Sequence, residues 1–199
     1  MNPLQSALDP SDTAEVVGTE LEQRSTEVPA DPAAHAASMV GHHYRVEDFY
    51  EVGREKVREY ARAVLDAHPA HHDEDAAKGL GYDGMLAPLT FISLVGIIAQ
   101  RRLFDEVVTG YDLSQIMQTD QRLEFHKPIQ VGDRLVCDVH LESFRQAAGS
   151  DIIVTKNIVT DQNGELVQTT WTTLVARSGG EVDENIAHAV KDVMMHVAS

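Results

Sequence analysis

Ala87-Pro88-Leu89-Thr90-Phe91-Ile92-Ser93-Leu94-Val95-Gly96-Ile97-Ile98-Ala99-Gln100 lies in the longest uncharged apolar run of the chain, which extends from Met85 to Gln100. Phe91, Ile92, Leu94, Val95, Ile97, Ile98 and Ala99 point to nearly every side of a helical wheel, so the spacing predicts a helix enclosed by other structure. Pro88 suits the first helical position, where its missing N–H had no partner to lose. Arg101 and Arg102 mark the emergence into water, and the helix is predicted over 88–107. The run falls short of the roughly 20 residues that span a bilayer, so no membrane insertion is expected.

Towards the C-terminus the pattern changes to alternation from residue 114. Four strands are predicted, near 115–126, 132–146, 150–161 and 166–177. Asn163-Gly164 is a strong hairpin signal, and Gly132-Asp133 and Gly149-Ser150 mark the other turns. An enclosed helix followed by an antiparallel meander implies an α+β domain in which the sheet curls around the helix. Beyond Arg177 the stretch Ser178-Gly179-Gly180 is a break. Residues 179–199 read as a linker, with an amphipathic helix expected over 183–197.

Towards the N-terminus, Phe49-Tyr50-Glu51-Val52 reads as a strand or strand lead-in. A helix follows over about 53–65, with Val57, Tyr60, Ala61 and Val64 at helical spacing. A loop occupies 66–71, and a short acidic helix occupies 73–79, ended by Gly79 and Gly81. Residues 1–38 lack an apolar period and are rich in Ala, Pro, Ser, Thr, Asp and Glu. They are expected to be a disordered acidic extension preceding a domain over 39–178.

The chain of 199 residues fits one domain with tails. A net charge of −16 argues against nucleic acid and against anionic membrane surfaces, both of which need a positive footprint. The single cysteine, Cys137, allows no internal disulfide and fits a reducing cytoplasm. The first residues show neither the basic region nor the apolar stretch of a signal peptide, and a cytoplasmic location is expected.

Asp66-Ala67-His68-Pro69-Ala70-His71 carries the chemistry. A carboxylate and an imidazole five positions apart in a loop are suited to moving protons. The long helix begins soon after, and its unpaired N–H groups suit negative charge developing on a carbonyl oxygen. Together these suit the addition or removal of water. The plainer alternative is that Asp66 caps a turn and His71 is a surface histidine. His68, His71, His72, Asp73 and Asp75 crowd one loop without the ligand spacing of a known metal motif, so no metal is expected.

The helix, the sheet and Asp66, Pro69, His71 and Ala77 together resemble the hotdog fold of the MaoC-like (R)-specific enoyl hydratases and 3-hydroxyacyl dehydratases. That family's pattern has Asn and a larger aliphatic residue where this chain has His68 and Ala70. Gly53-Arg54-Glu55-Lys56-Val57, Gly81-Tyr82-Asp83-Gly84 and Phe125-His126-Lys127-Pro128-Ile129 are similar to the MaoC-type N-terminal dehydratase domains of actinobacteria. These include the accessory subunits of 3-hydroxyacyl-ACP dehydratases.

The resemblance implies a hydro-lyase interconverting (3R)-hydroxyacyl and trans-2-enoyl thioesters of CoA or ACP, with no cofactor. Asp66 would hold the water and His71 would exchange the α-proton. Because Pro88 has no N–H, Leu89 and then Thr90 would donate to the thioester oxygen. His68 would orient nearby backbone, as the family's Asn does. Arg101 and Arg102 are candidates for the anionic carrier, with Arg122, Lys127 and Arg134 as others. The chain is expected to pair as a homodimer or with another hotdog subunit. Two rivals remain. One is a non-catalytic, acyl-chain-binding subunit of a heterodimeric dehydratase. The other is a hotdog thioesterase, ranked lower because residues 89–100 contain no acidic residue.

Overall fold

The computed structural model describes residues 29–177. The amphipathic helix expected over 183–197, the linker and the first 28 residues of the extension lie outside the described residues. The described part opens with α1 (Pro32–Ser38), followed by β1 (His43–Arg45), β2 (Tyr50–Glu51) and α2 (Arg54–Ala63). A 3-10 turn (Pro69–His71) leads to α3 (Glu74–Gly79). A second 3-10 turn (Leu89–Phe91) runs into the central helix α4 (Ile92–Glu106). Strands β3 (Ile116–Phe125), β4 (Arg134–Ala147), β5 (Ser150–Thr160) and β6 (Leu166–Arg177) complete the domain.

The last four strands fall close to their predicted bounds, but the topology is not a simple meander. The spatial order is β1-β4-β5-β6-β3, with β2 also paired to β4. The sequence places β3 directly before β4, yet β3 pairs with β6 at the far edge. The chain between them crosses under the helix start, where Leu86 bridges Gln130. The β4–β5 hairpin closes on Ala148 and Gly149, both at positive φ (50° and 74°). Positive φ at both central residues matches the right-handed twist of the flanking strands.

Alternation is strict along β5, where one face is buried. In β5 every second residue is enclosed, from Asp151 to Val159. α4 lies against β4 and β1. Its Ile92, Val95, Ala99 and Leu103 join Leu135, Cys137, Val139 and Leu141 in one buried cluster. Each such Leu, Ile or Val contributes about 1.5–3 kcal/mol relative to exposure. The helix is not covered all round in a single chain. Ile97 is 42% exposed, and Leu94 and Ile98 are half-buried. Val64, expected on the buried face of α2, is likewise exposed.

Two further corrections concern the edges. Ordered structure begins before residue 39, inside the stretch expected to be disordered. Asp31 caps α1 by accepting from the Ala34 N–H, Pro32 starts it, and Ala36 is fully buried. The Nε2–H of His35 donates to the Val107 carbonyl at 3.1 Å and ties α1 to the end of α4. The central helix, for its part, does not begin as regular α-helix at residue 88. Pro88 precedes a 3-10 turn, and α-helical bonding starts at Ile92.

Candidate active site

The loop carrying Asp66 and His71 is shaped by hydrogen bonds that its own sequence supplies. α2 ends in a Schellman arrangement, with the Asp66 N–H donating to the Ala61 carbonyl (2.8 Å) and the Leu65 N–H to the Arg62 carbonyl (3.2 Å). Leu65 takes the left-handed conformation this closure needs, at φ 58°. Asp66 Oδ1 then accepts from the His68 N–H at 3.1 Å. His68 in turn caps the next turn, its Nδ1 accepting from the Ala70 N–H at 3.3 Å. Pro69 at the first position of that turn has no N–H to strand, and Ala70 is fully buried.

This folding brings His71 Nε2 to 3.2 Å from Asp66 Oδ2. The imidazole is largely enclosed, and the carboxylate faces solvent. On the other side of the ring, Nδ1 lies 2.7 Å from the Leu86 carbonyl oxygen. A carbonyl only accepts, so Nδ1 carries a proton and Nε2 is the nitrogen free to gain or lose one. The His68 N–H bond is the largest influence on the Asp66 carboxyl and, with the His71 imidazole, outweighs the opposing effect of burial and holds the group below its ordinary value.

The same backbone seam positions the helix start. The Leu86 N–H donates to the Ala70 carbonyl (3.0 Å) and the Ala87 N–H to the Ile129 carbonyl (2.8 Å). Downstream, the Phe91 N–H is taken up by Pro88, whereas no hydrogen bond engages the Leu89 or Thr90 N–H among the described residues. The Thr90 carbonyl accepts from the Tyr60 hydroxyl at 2.7 Å, fixing the turn against α2.

Asp66, His68, His71, Leu89 and Thr90 all line one cleft of about 890 Å³. Its opposite wall is formed by Phe125, His126, Lys127, Ile129 and Gln168. Of these, sequence reasoning singles out only Lys127, as a contact for the carrier. The Phe125-His126-Lys127-Pro128-Ile129 stretch is the signal that could have found the wall. Lys127 is clamped by Asp161 and, at 2.8 Å, by Glu165. Hydrogen bonds to these two carboxylates raise its pKa. Burial pushes the Asp161 carboxyl up, but Lys127 and the Glu165 and Asn163 N–H groups outweigh it and leave the group below its ordinary value.

Arg101 and Arg102 are not brought to this cleft. Arg101 sits nine residues beyond Ile92, roughly 14 Å along α4, and faces Asp105 at 3.8 Å. The crowded His68, His71 and His72 do not converge on a common point. His72 Nε2–H donates to the Asp66 carbonyl (3.1 Å), and the other two are engaged as above. Among the described residues, the His/carboxylate group close enough to share an ion is His43, Asp138 and His140 on the sheet. There His43 Nδ1 lies 2.5 Å from Asp138 Oδ1. No described helix is long and apolar enough to cross a membrane.

A UPF0336 protein of Mycobacterium tuberculosis is 53% identical over 146 residues, spanning 73% of this chain and 92% of its own length. The crystal structure of a C-terminally truncated HadBC (3R-hydroxyacyl-ACP dehydratase) complex from Mycobacterium tuberculosis superposes with a TM-score of 0.64 at 43% identity, over 69% of this chain and 97% of that one. A MaoC-like dehydratase superposes with a TM-score of 0.70 at 47% identity, over 79% of this chain but 48% of that longer chain. The model of the FAS1-like dehydratase domain region matches residues 38–170, and the chain, with its hotdog sheet and central helix, belongs to that family.

Proposed function

We propose that the chain interconverts (3R)-hydroxyacyl and trans-2-enoyl thioesters. The observation that carries this reading is the 3.2 Å approach of Asp66 and His71 at the mouth of a cleft that also holds the free N–H groups of Leu89 and Thr90. In hydration the water oxygen bonds to C3 as Asp66 takes the water proton. The displaced electron pair moves onto the thioester oxygen, where the two N–H groups stabilise it. C2 then takes a proton from His71 Nε2. Transfer of the proton from Asp66 to His71 across their 3.2 Å contact restores the starting state. Dehydration is the reverse. Nδ1 is held by Leu86 throughout, so the exchange runs through Nε2 alone.

The carrier is CoA or ACP, and the working unit includes a second hotdog subunit. Support for the second subunit is the uncovered side of α4 at Ile97 and the HadBC complex among the similar structures. A cytoplasmic setting agrees with the single reduced Cys137. Leu89 favours the rival reading of a non-catalytic acyl-binding subunit. It is 67% exposed at the helix start, and its side chain narrows the approach to the N–H groups there.

The test follows loss of the enoyl-thioester absorbance of crotonyl-CoA with the full chain, alone and beside a candidate hotdog partner. Hydration that falls at least 100-fold in Asp66→Asn and in His71→Ala is expected. Activity that needs the partner and is unchanged by both substitutions would establish the non-catalytic role instead.

A further inference from the structure

A second cavity, of about 160 Å³, lies between α4 and the inner faces of β5 and β6, and the chemistry above makes no use of it. Its walls mix apolar groups, Ile92, Ile97 and Val139, with polar ones. Ser93, Gly96 and Gln100 contribute from the helix, and Thr155, Asn157 and Thr170 from the sheet. These inner-face strand positions are where an antiparallel core ordinarily carries Val, Ile or Leu. Here Thr155, Asn157, Gln168, Thr170 and Thr172 are all buried. Such a stripe costs stability unless each group finds a partner.

Most do. Gln168 Nε2–H donates to Thr170 Oγ1 (3.3 Å), and Gln100 Nε2–H to Thr155 Oγ1 (3.4 Å). Asn157 is the exception. It is 8% exposed, its Nδ2–H reaches only Cys137 Sγ at 3.8 Å, and its Oδ1 has no partner. An enclosed, unpaired amide oxygen calls for a donor. Gly96 leaves room for one, since a Cβ there would lie 3.9 Å from Asn157 Nδ2.

The two cavities share β6 as a wall. Gln168 lines the first and hydrogen-bonds Thr170, which lines the second. Along β6 the step from one to the other is about 7 Å. A thioester with its head at Asp66 and His71 and its chain along the inner face of β6 would place its tail there. The geometry points to an acyl-tail subsite that selects chains bearing a hydroxyl group remote from the reacting carbons. This rests on the thioester reading above. The hydroxyl donates to Asn157 Oδ1 and accepts from the amide or hydroxyl donors around it. A plain alkyl tail leaves Asn157 unpaired.

The test measures binding rather than turnover. Octanoyl-CoA and its three saturated derivatives hydroxylated at one of the three terminal carbons are titrated calorimetrically into the full chain. At least one hydroxylated isomer is expected to bind about ten-fold tighter than octanoyl-CoA. Asn157→Leu is expected to abolish that preference. Gly96→Ala, which favours the helix and so keeps the fold, is expected to weaken the preferred isomer by narrowing the cavity.

Equal affinities in the wild type, absence of binding, or a preference that survives both substitutions would overturn the subsite. These saturated chains do not react, so their binding reads the subsite independently of catalysis. A preference found in a chain that never hydrates crotonyl-CoA sinks the proposed reaction and leaves the subsite standing.

Discussion

The imidazole of His71 and the backbone carbonyl of Leu86 are joined at 2.7 Å, and the Leu86 N–H returns the link by donating to Ala70 at 3.0 Å. Two hydrogen bonds thus staple the His71 side chain to the segment that starts the central helix. The consequence is a fixed relation between Nε2 and the N–H groups of Leu89 and Thr90, three and four residues further on. Pre-set geometry of this kind is what lets oriented dipoles act without reorganising as charge develops. The seam continues through Ala87 to Ile129 and through Met85 to Val131, which explains why the 125–129 segment forms the facing wall.

The ionisation of Asp66 follows from that loop. The His68 N–H is the main cause of its lowered pKa, with His71 second. A carboxyl measured by carbon NMR is therefore expected to titrate below the roughly 3.9 of a free aspartate. In His71→Ala it should move up, yet stay below that value, because the His68 N–H remains. For stability the sign is that of any depressed acid. The contribution is present above the ordinary value and fades as pH falls through the lowered one. A wild-type titration at or above the free value would remove the proposed ion pair.

Lys127 offers a test on the opposite wall. The Asp161 side chain is fully enclosed, and Lys127 is its cationic partner, alongside the Asn163 and Glu165 N–H groups at 2.9 Å. Lys127→Met keeps the aliphatic stem and strands the carboxylate. The expected cost is about 2 kcal/mol at neutral pH, the worth of a charged hydrogen bond. For a domain of this size that is about 6 °C in Tm. The folded pKa of Asp161 is lowered, so the ion pair stabilises above the ordinary carboxylate value and is lost as pH falls through the lower one. The difference in Tm between variant and wild type should therefore shrink below about pH 4. A gap that stays constant down to about pH 3 would show that lost packing, not charge, is responsible.

The fold was legible where the signal is local and periodic, and hidden where it is not. The apolar wheel of α4 and the alternation of β4, β5 and β6 announced themselves. β1 has three residues, too few for any period, and the pairing of β3 with β6 is a relation between segments some fifty residues apart. α1 carried a capping signal in Asp31-Pro32, masked by the disorder-prone composition around it. In the site, Asp66 and His71 sit five positions apart in one loop and were visible. Lys127 and Gln168 join them only through the sheet. The polar inner stripe was the least visible feature, because Thr155, Asn157 and Thr170 read as ordinary strand residues until their neighbours are known.

One residue beside the Asp66–His71 loop works against the fold. Leu65 occupies the left-handed position that closes α2, at φ 58°, and is 89% exposed. Its side chain gains almost nothing from burial, while its Cβ crowds the backbone at a cost of about 1–2 kcal/mol. Glycine removes that cost and adds some unfolded-state entropy, so Leu65→Gly is expected to stabilise by about 1 kcal/mol, roughly 3 °C in Tm. Leu65→Ala separates this cause from the removal of an exposed apolar side chain. Alanine keeps the Cβ and should change Tm by less than about 1 °C. Differential scanning calorimetry of the two variants decides the matter. Equal gains from glycine and alanine would mean that surface hydrophobicity, not the backbone conformation before Asp66, sets the penalty.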